Sequence, residues 1–119
     1  MAARTRGCRM TTLSTHVLDT GRGVPAAGVR VRLLHDGLPL WQGATDADGR
    51  CPPLRELQLH AGRYRLEFAA GDYLRALGQP LAEPPFLDVV PIDFGIAGDG
   101  HYHVPLLLSA YGYSTYRGS

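Results

Sequence analysis

The segment His101-Tyr-His-Val-Pro-Leu-Leu-Leu-Ser109 sets two imidazoles two residues apart. On a strand, successive side chains point to opposite faces. Tyr102, Val104, Leu106 and Leu108 then share an apolar face that must be core, while His101, His103, Pro105, Leu107 and Ser109 share the other. A strand with one wholly apolar face and two imidazoles on the other borders a polar cleft or a subunit contact. Imidazole titrates near neutral pH, which suits it to general-base work on a water nucleophile. The same His-x-His spacing also permits metal chelation, with His16 as a third ligand.

His16 lies in Ser14-Thr-His-Val-Leu-Asp19, where Ser14, His16 and Leu18 share one face and Leu13, Thr15 and Val17 the other. Arg50 follows the tight turn Asp46-Ala-Asp-Gly49. Taken singly, a strand histidine is more often structural or solvated, and an arginine after a turn is more often a surface charge. The C-terminus is less ordinary. Tyr111-Gly-Tyr-Ser-Thr-Tyr-Arg-Gly-Ser119 holds three of the six tyrosines. Tyrosine is enriched at interfaces and wasted in a frayed end. The tail is therefore expected to be ordered, against another subunit. Its last three residues supply a guanidinium (Arg117), a flexible link (Gly118) and a hydroxyl (Ser119).

The elements that must carry these residues read as short strands separated by turn signals. The pattern predicts strands over Leu13–Leu18, Val29–Leu34, Leu38–Thr45, Arg63–Phe68, Phe86–Ile96, His101–Ser109 and Gly112–Tyr116. Asp36-Gly37 predicts a hairpin turn. Cys51–Leu54 reads as a short edge strand, kept at the edge by Pro52 and Pro53. Gly71–Gly78 is the single helical-looking stretch. Seven or eight strands and one short helix pack economically as an all-β, two-sheet antiparallel sandwich. No internal repeat or linker divides the chain.

At 119 residues, one domain is expected, small enough to gain from oligomerisation. The formal charge is +1, and Arg4, Arg6 and Arg9 crowd the first nine residues, leaving nine arginines against eleven acids beyond them, net −2. That balance argues against nucleic-acid binding. There is no lysine, so lysine Schiff-base chemistry and a Walker-type phosphate loop are excluded. No apolar run approaches a membrane span, and no secretory apolar region follows the basic start. Residues 1–10 read as a disordered extension ahead of a domain over 11–119, with Met10 an alternative start. Cys8 and Cys51 form no CxxC pair and read as free thiols in a reducing compartment. The Arg-, Ala- and Gly-heavy usage, without asparagine, reads as a GC-rich bacterial genome, and the expected location is cytoplasmic.

Five segments together carry a resemblance. LSTHVLD at 13–19 with Gly23–Ala26, TDADGR at 45–50, YRLEF with GDY, HYHVPLLLS at 101–109 and the terminal YRGS resemble the transthyretin-like family of 5-hydroxyisourate hydrolases. The match spans about residues 12–119. It implies the transthyretin sandwich of two four-stranded sheets with one short helix, assembled as a homotetramer with sites where subunits meet. It implies hydrolysis of 5-hydroxyisourate in urate breakdown to 2-oxo-4-hydroxy-4-carboxy-5-ureidoimidazoline, with no cofactor and no metal. The family's catalytic positions fall on His16, Arg50, His103 and Ser119. Tyr116 and Arg117 are expected to shape the tail and contact substrate rather than react. One departure is Ala110, where the family usually has proline. Two other classes compete: a transthyretin-like carrier without turnover, and a metal-dependent hydrolase using His16, His101 and His103.

Overall fold

The structure, a computed structural model, describes residues 10–98 and 100–118. The expectations for residues 1–9, including Cys8, and for Ser119 lie outside them. Among the described residues, ten strands form two four-stranded sheets and a two-stranded ribbon, accompanied by two short helical segments.

The first sheet is a plain antiparallel arrangement of β4 (Arg30–His35), β5 (Leu38–Ala44), β6 (Gly62–Ala69) and β7 (Val89–Ile96), in the order β5-β4-β6-β7. Asp36-Gly37 closes the β4–β5 hairpin with both residues at positive φ, 50° and 79°, the primed turn that matches strand twist. Alternation buries Val31 and Leu33 on β4, Tyr64, Leu66 and Phe68 on β6, and Val90 and Ile92 on β7. The outward residues pair across strands as charges: Arg32 to Glu67 at 2.6 Å and Arg65 to Asp93 at 2.7 Å.

The second sheet runs β10 (Tyr113–Thr115), β9 (Leu106–Leu108), β2 (Val17–Asp19), β3 (Val24–Pro25). It is mixed, because β2 and β9 are parallel, as are β1 (Thr11–Ser14) and β8 (Gly100–His103) beside them. These strands lie at opposite ends of the chain, so no hairpin constrains their direction. Leu13, Val17, Leu106 and Leu108 from this side join Leu33, Leu66 and Phe68 from the other in one core. Each such side chain contributes roughly 1.5–3 kcal/mol by leaving water.

Four expectations need correction. Leu13–Leu18 is two strands, interrupted at residues 15–16, and His101–Ser109 is two strands, interrupted at residues 104–105. Pro105, which has no N–H to donate, lies in the second gap. The ladder steps across the gap through Val104 N to Ser14 O and Leu106 N to His16 O, each 2.9 Å. Thr15 Oγ1 donates to Val104 O at 2.7 Å inside it. Cys51–Leu54 is no strand: Pro52–Glu56 is a 3₁₀ turn, started by two prolines whose fixed φ suits a helical first turn. The strand predicted from Phe86 begins at Val89. Residues 86–88 lie against helix α1 (Ala70–Ala76), where Gly71 N donates to Asp88 O at 2.8 Å, and Phe86 is exposed. The helix itself sits where predicted. Tyr73 on it donates to the buried Asp19 carboxylate at 2.8 Å, tying α1 to β2. No helix among the described residues is long and apolar enough to cross a membrane.

Candidate functional site

The site grows out of the two interruptions. His16 occupies the break between β1 and β2 and pairs by an antiparallel bridge with Arg50. Arg50 is delivered by the Asp46–Gly49 turn. Asp46 Oδ1 accepts from Asp48 N at 2.9 Å and from Arg50 N at 3.0 Å, and Asp46 N donates to Arg50 O at 2.8 Å. Gly49 sits at φ +76°, and a Cβ there would lie 2.4 Å from Val17 O and 3.3 Å from the His16 ring. Only glycine lets this turn press against the strand bearing His16.

His103 ends β8. Its backbone pairs with the tail: Gly118 N donates to His103 O at 2.7 Å. A Cβ on Gly118 would lie 2.8 Å from His103 Cδ2, so the tail's glycine is a close-approach residue and not merely a flexible link. The tail is ordered as expected. β10 pairs with β9, and Thr115 Oγ1 donates to Pro105 O at 2.7 Å. Its tyrosines, however, are exposed on the single chain, Tyr111 by 72% and Tyr116 by 59%.

His103 is partly buried, and its pKa lies below the ordinary imidazole value. Burial is the first cause; the Arg50 guanidinium is the second, followed by His16 and His101. This is the direction that a base facing an arginine requires: neutral and ready to accept a proton at neutral pH. His101 is lowered too, by burial and by Arg55. The two histidines share one small hydroxyl, since Ser14 Oγ lies 2.8 Å from His101 Nε2 and 2.7 Å from His103 Nδ1. Among the described residues, no group of three or more His, Cys, Asp or Glu side chains is arranged to hold a metal ion.

His16, Arg50 and His103 thus come together from three separate segments. Tyr116 and Arg117 line a different groove of about 230 Å³ with Ile92, Phe94 and Tyr102. The Arg117 guanidinium stacks 3.9 Å above the Tyr102 ring, on the face of β8 opposite His101 and His103. Ser119 lies outside the described residues. Sequence reasoning missed Ser14 and Thr12 as partners of the histidines. The available signal was the matching two-residue spacing of Thr12-x-Ser14 and His101-x-His103.

A transthyretin-type sandwich bearing a histidine–arginine cluster is the class that fold and site define. Residues 13–118 match the HIUase/Transthyretin family, and the chain belongs to that family. It is 58% identical over 113 residues to the 5-hydroxyisourate hydrolase of Mesorhizobium japonicum, covering 90% of this chain and 91% of that one. Among solved structures, it resembles Klebsiella pneumoniae 5-hydroxyisourate hydrolase with a TM-score of 0.82 and 41% identity, covering 92% of this chain and all of that one. Sea bream transthyretin in complex with thyroxine matches with a TM-score of 0.76 and 31% identity over 89% of this chain and 93% of that one.

Proposed function

We propose that this protein is a 5-hydroxyisourate hydrolase of urate breakdown, opening the substrate ring to 2-oxo-4-hydroxy-4-carboxy-5-ureidoimidazoline. The observation that carries the reading is the convergence of His16, Arg50 and a neutral-favouring His103. The high identity to bacterial 5-hydroxyisourate hydrolases supports it. His103 is the general base: its ring nitrogen takes a proton from water as the water oxygen bonds to the ring carbonyl carbon. The carbon–nitrogen bond then breaks, and the proton passes from His103 to the departing ring nitrogen. Arg50 clamps the planar substrate and stabilises the oxyanion. His16 binds and orients. Ser119 is assigned to hydrogen-bond the substrate or water, a role the resemblance implies, and the pairing of the neighbouring Gly118 with His103 supports it.

The active assembly is a homotetramer with sites where subunits meet. The exposed Phe86, Val89, Tyr111, Tyr113 and Tyr116 support an assembly that covers them. Residues 11–119 form the hydrolase domain behind an extension over 1–10, and the protein works in the cytoplasm. The test uses 5-hydroxyisourate made in situ from urate by urate oxidase, with its decay followed with and without the protein. Accelerated decay that survives a chelator is expected. Decay at the uncatalysed rate overturns the reading and leaves a carrier, and loss of activity in chelator restores the metal alternative. Light scattering is expected to give four times the 12.9 kDa chain mass.

A further inference from the structure

Ser14 stands directly opposite His103 in the parallel β1–β8 ladder, and Thr12 opposite His101. Parallel pairing in this register keeps the four side chains on one face. They form an unbroken chain: Thr12 Oγ1 to His101 Nδ1 at 2.6 Å, His101 Nε2 to Ser14 Oγ at 2.8 Å, and Ser14 Oγ to His103 Nδ1 at 2.7 Å. A hydroxyl has one hydrogen to give, and among the described residues Ser14 Oγ has no hydrogen-bond partner other than these two ring nitrogens to receive it. Ser14 therefore donates to one ring nitrogen and accepts from the other.

Burial and neighbouring cations favour the neutral form of both rings, so each carries a single N–H. The two tautomers are locked to each other through Ser14. If His103 holds its proton on Nδ1, Ser14 accepts it and donates to His101 Nε2. His101 then carries its proton on Nδ1 and donates to Thr12. If any link reverses, all reverse, and His103 Nε2 becomes a donor, useless as a base.

We propose that Ser14 is a positioning residue for the hydrolysis. It accepts from His103 Nδ1–H, donates to His101 Nε2, and so leaves His103 Nε2 bare as the point of proton uptake. His101 and Thr12 set the direction of the chain. The inference rests on the reading of His103 as the base. It gives Ser14 and His101, neither of them in contact with the reacting atoms, a defined share in the rate.

The test is nitrogen NMR of the histidine-labelled resting protein, whose imidazole shifts distinguish Nδ1–H from Nε2–H. Wild type is expected to hold both His103 and His101 as Nδ1–H. Ser14→Ala should shift His103 toward Nε2–H and lower kcat about tenfold or more, the scale of a compromised general base, with KM little changed. His101→Phe, which leaves Ser14 in place, should move the His103 tautomer ratio and kcat in the same directions by less. It serves as the second variant should Ser14→Ala fail to fold. A wild-type His103 on Nε2–H overturns the proposal, as does an unchanged tautomer ratio or an unchanged kcat in a folded variant. Wild-type turnover is measured alongside. Its absence defeats the hydrolase reading and with it the share of Ser14 in the rate, while the tautomer ratios still decide whether Ser14 sets the His103 tautomer.

Discussion

The β6–β7 ladder and the β1–β2/β8–β9 ladder span similar lengths of chain, yet they differ in continuity. β6 and β7 pair through eight consecutive residues, with alternate side chains buried and the outward ones matched as charges. The parallel ladder breaks after four pairs, at residues 15–16 and 104–105, and resumes for three. The continuous sheet supplies much of the core. The broken ladder holds the histidines, and its edges leave backbone groups free for segments arriving from elsewhere. Arg50 and Gly118 arrive in this way. Regular pairing supplies stability here, and interruption supplies a site.

Substitutions at matched positions sharpen that contrast. The largest effect is expected from His103→Ala, which should lower kcat/KM by roughly 10²–10⁴-fold while the urea midpoint stays near wild type. Phe68→Ala, in the continuous sheet, should do the reverse. Loss of a fully buried ring costs about 3–5 kcal/mol, with turnover per folded molecule unchanged. If His103→Ala unfolds the protein, or Phe68→Ala abolishes turnover in the folded fraction, the division of labour between the two regions fails. Gly118→Ala places a methyl against His103 and should cost up to roughly 10²-fold in kcat, the scale of a small misplacement, with modest loss of stability.

Tyr73→Phe removes a donor from the buried Asp19 carboxylate and should cost about 1–3 kcal/mol, read from denaturant unfolding, with kinetics intact. The smallest effect is on the pH profile. His103 has a depressed pKa, so its base form persists below the ordinary imidazole range, and activity falls only as pH drops through the lowered value. Arg50→Gln removes one cause of the depression and should move the acid limb of the residual activity upward. The same sign applies to folding. The unfolded chain binds protons on His101 and His103 more readily than the native one, so stability is lost as pH falls below the unfolded imidazole value. A profile whose acid limb moves downward in Arg50→Gln would contradict the assigned electrostatics.

Much of the fold was legible because alternation is strong wherever one face is core. Val31, Leu33, Leu66, Phe68, Val90 and Ile92 announce the continuous sheet. The same alternation carried across residues 15–16 and 104–105 predicted unbroken strands, since the side chains keep their faces while the backbone hydrogen bonds do not. Pro105 was the visible warning. Pro52 and Pro53 were read as edge-strand residues but begin a 3₁₀ turn, because φ near −65° fits both and only Leu54 packing inward decides. His16, Arg50 and His103 were legible as residue types, and the tail as an ordered segment. Their meeting was legible only through the family resemblance, because it depends on long-range register. The pairing of β1 with β8 joins residues almost ninety positions apart, and no local pattern encodes that Thr12 and Ser14 will face the two histidines.

Cys51 adds one practical consequence. Its thiol follows Arg50 directly, is buried to 2% exposure, and has its pKa pushed up to about 11 by burial and by Asp46. At pH 7, about one molecule in ten thousand carries the reactive thiolate, and the folded wall shields even that. In a Cys8→Ser background, the rate at which an alkylating reagent captures Cys51 becomes a clock for how often the Arg50 segment lets go of His16. The protein carries its own gauge of how the His16–Arg50 contact opens, one bond from the guanidinium-bearing residue, without any added label.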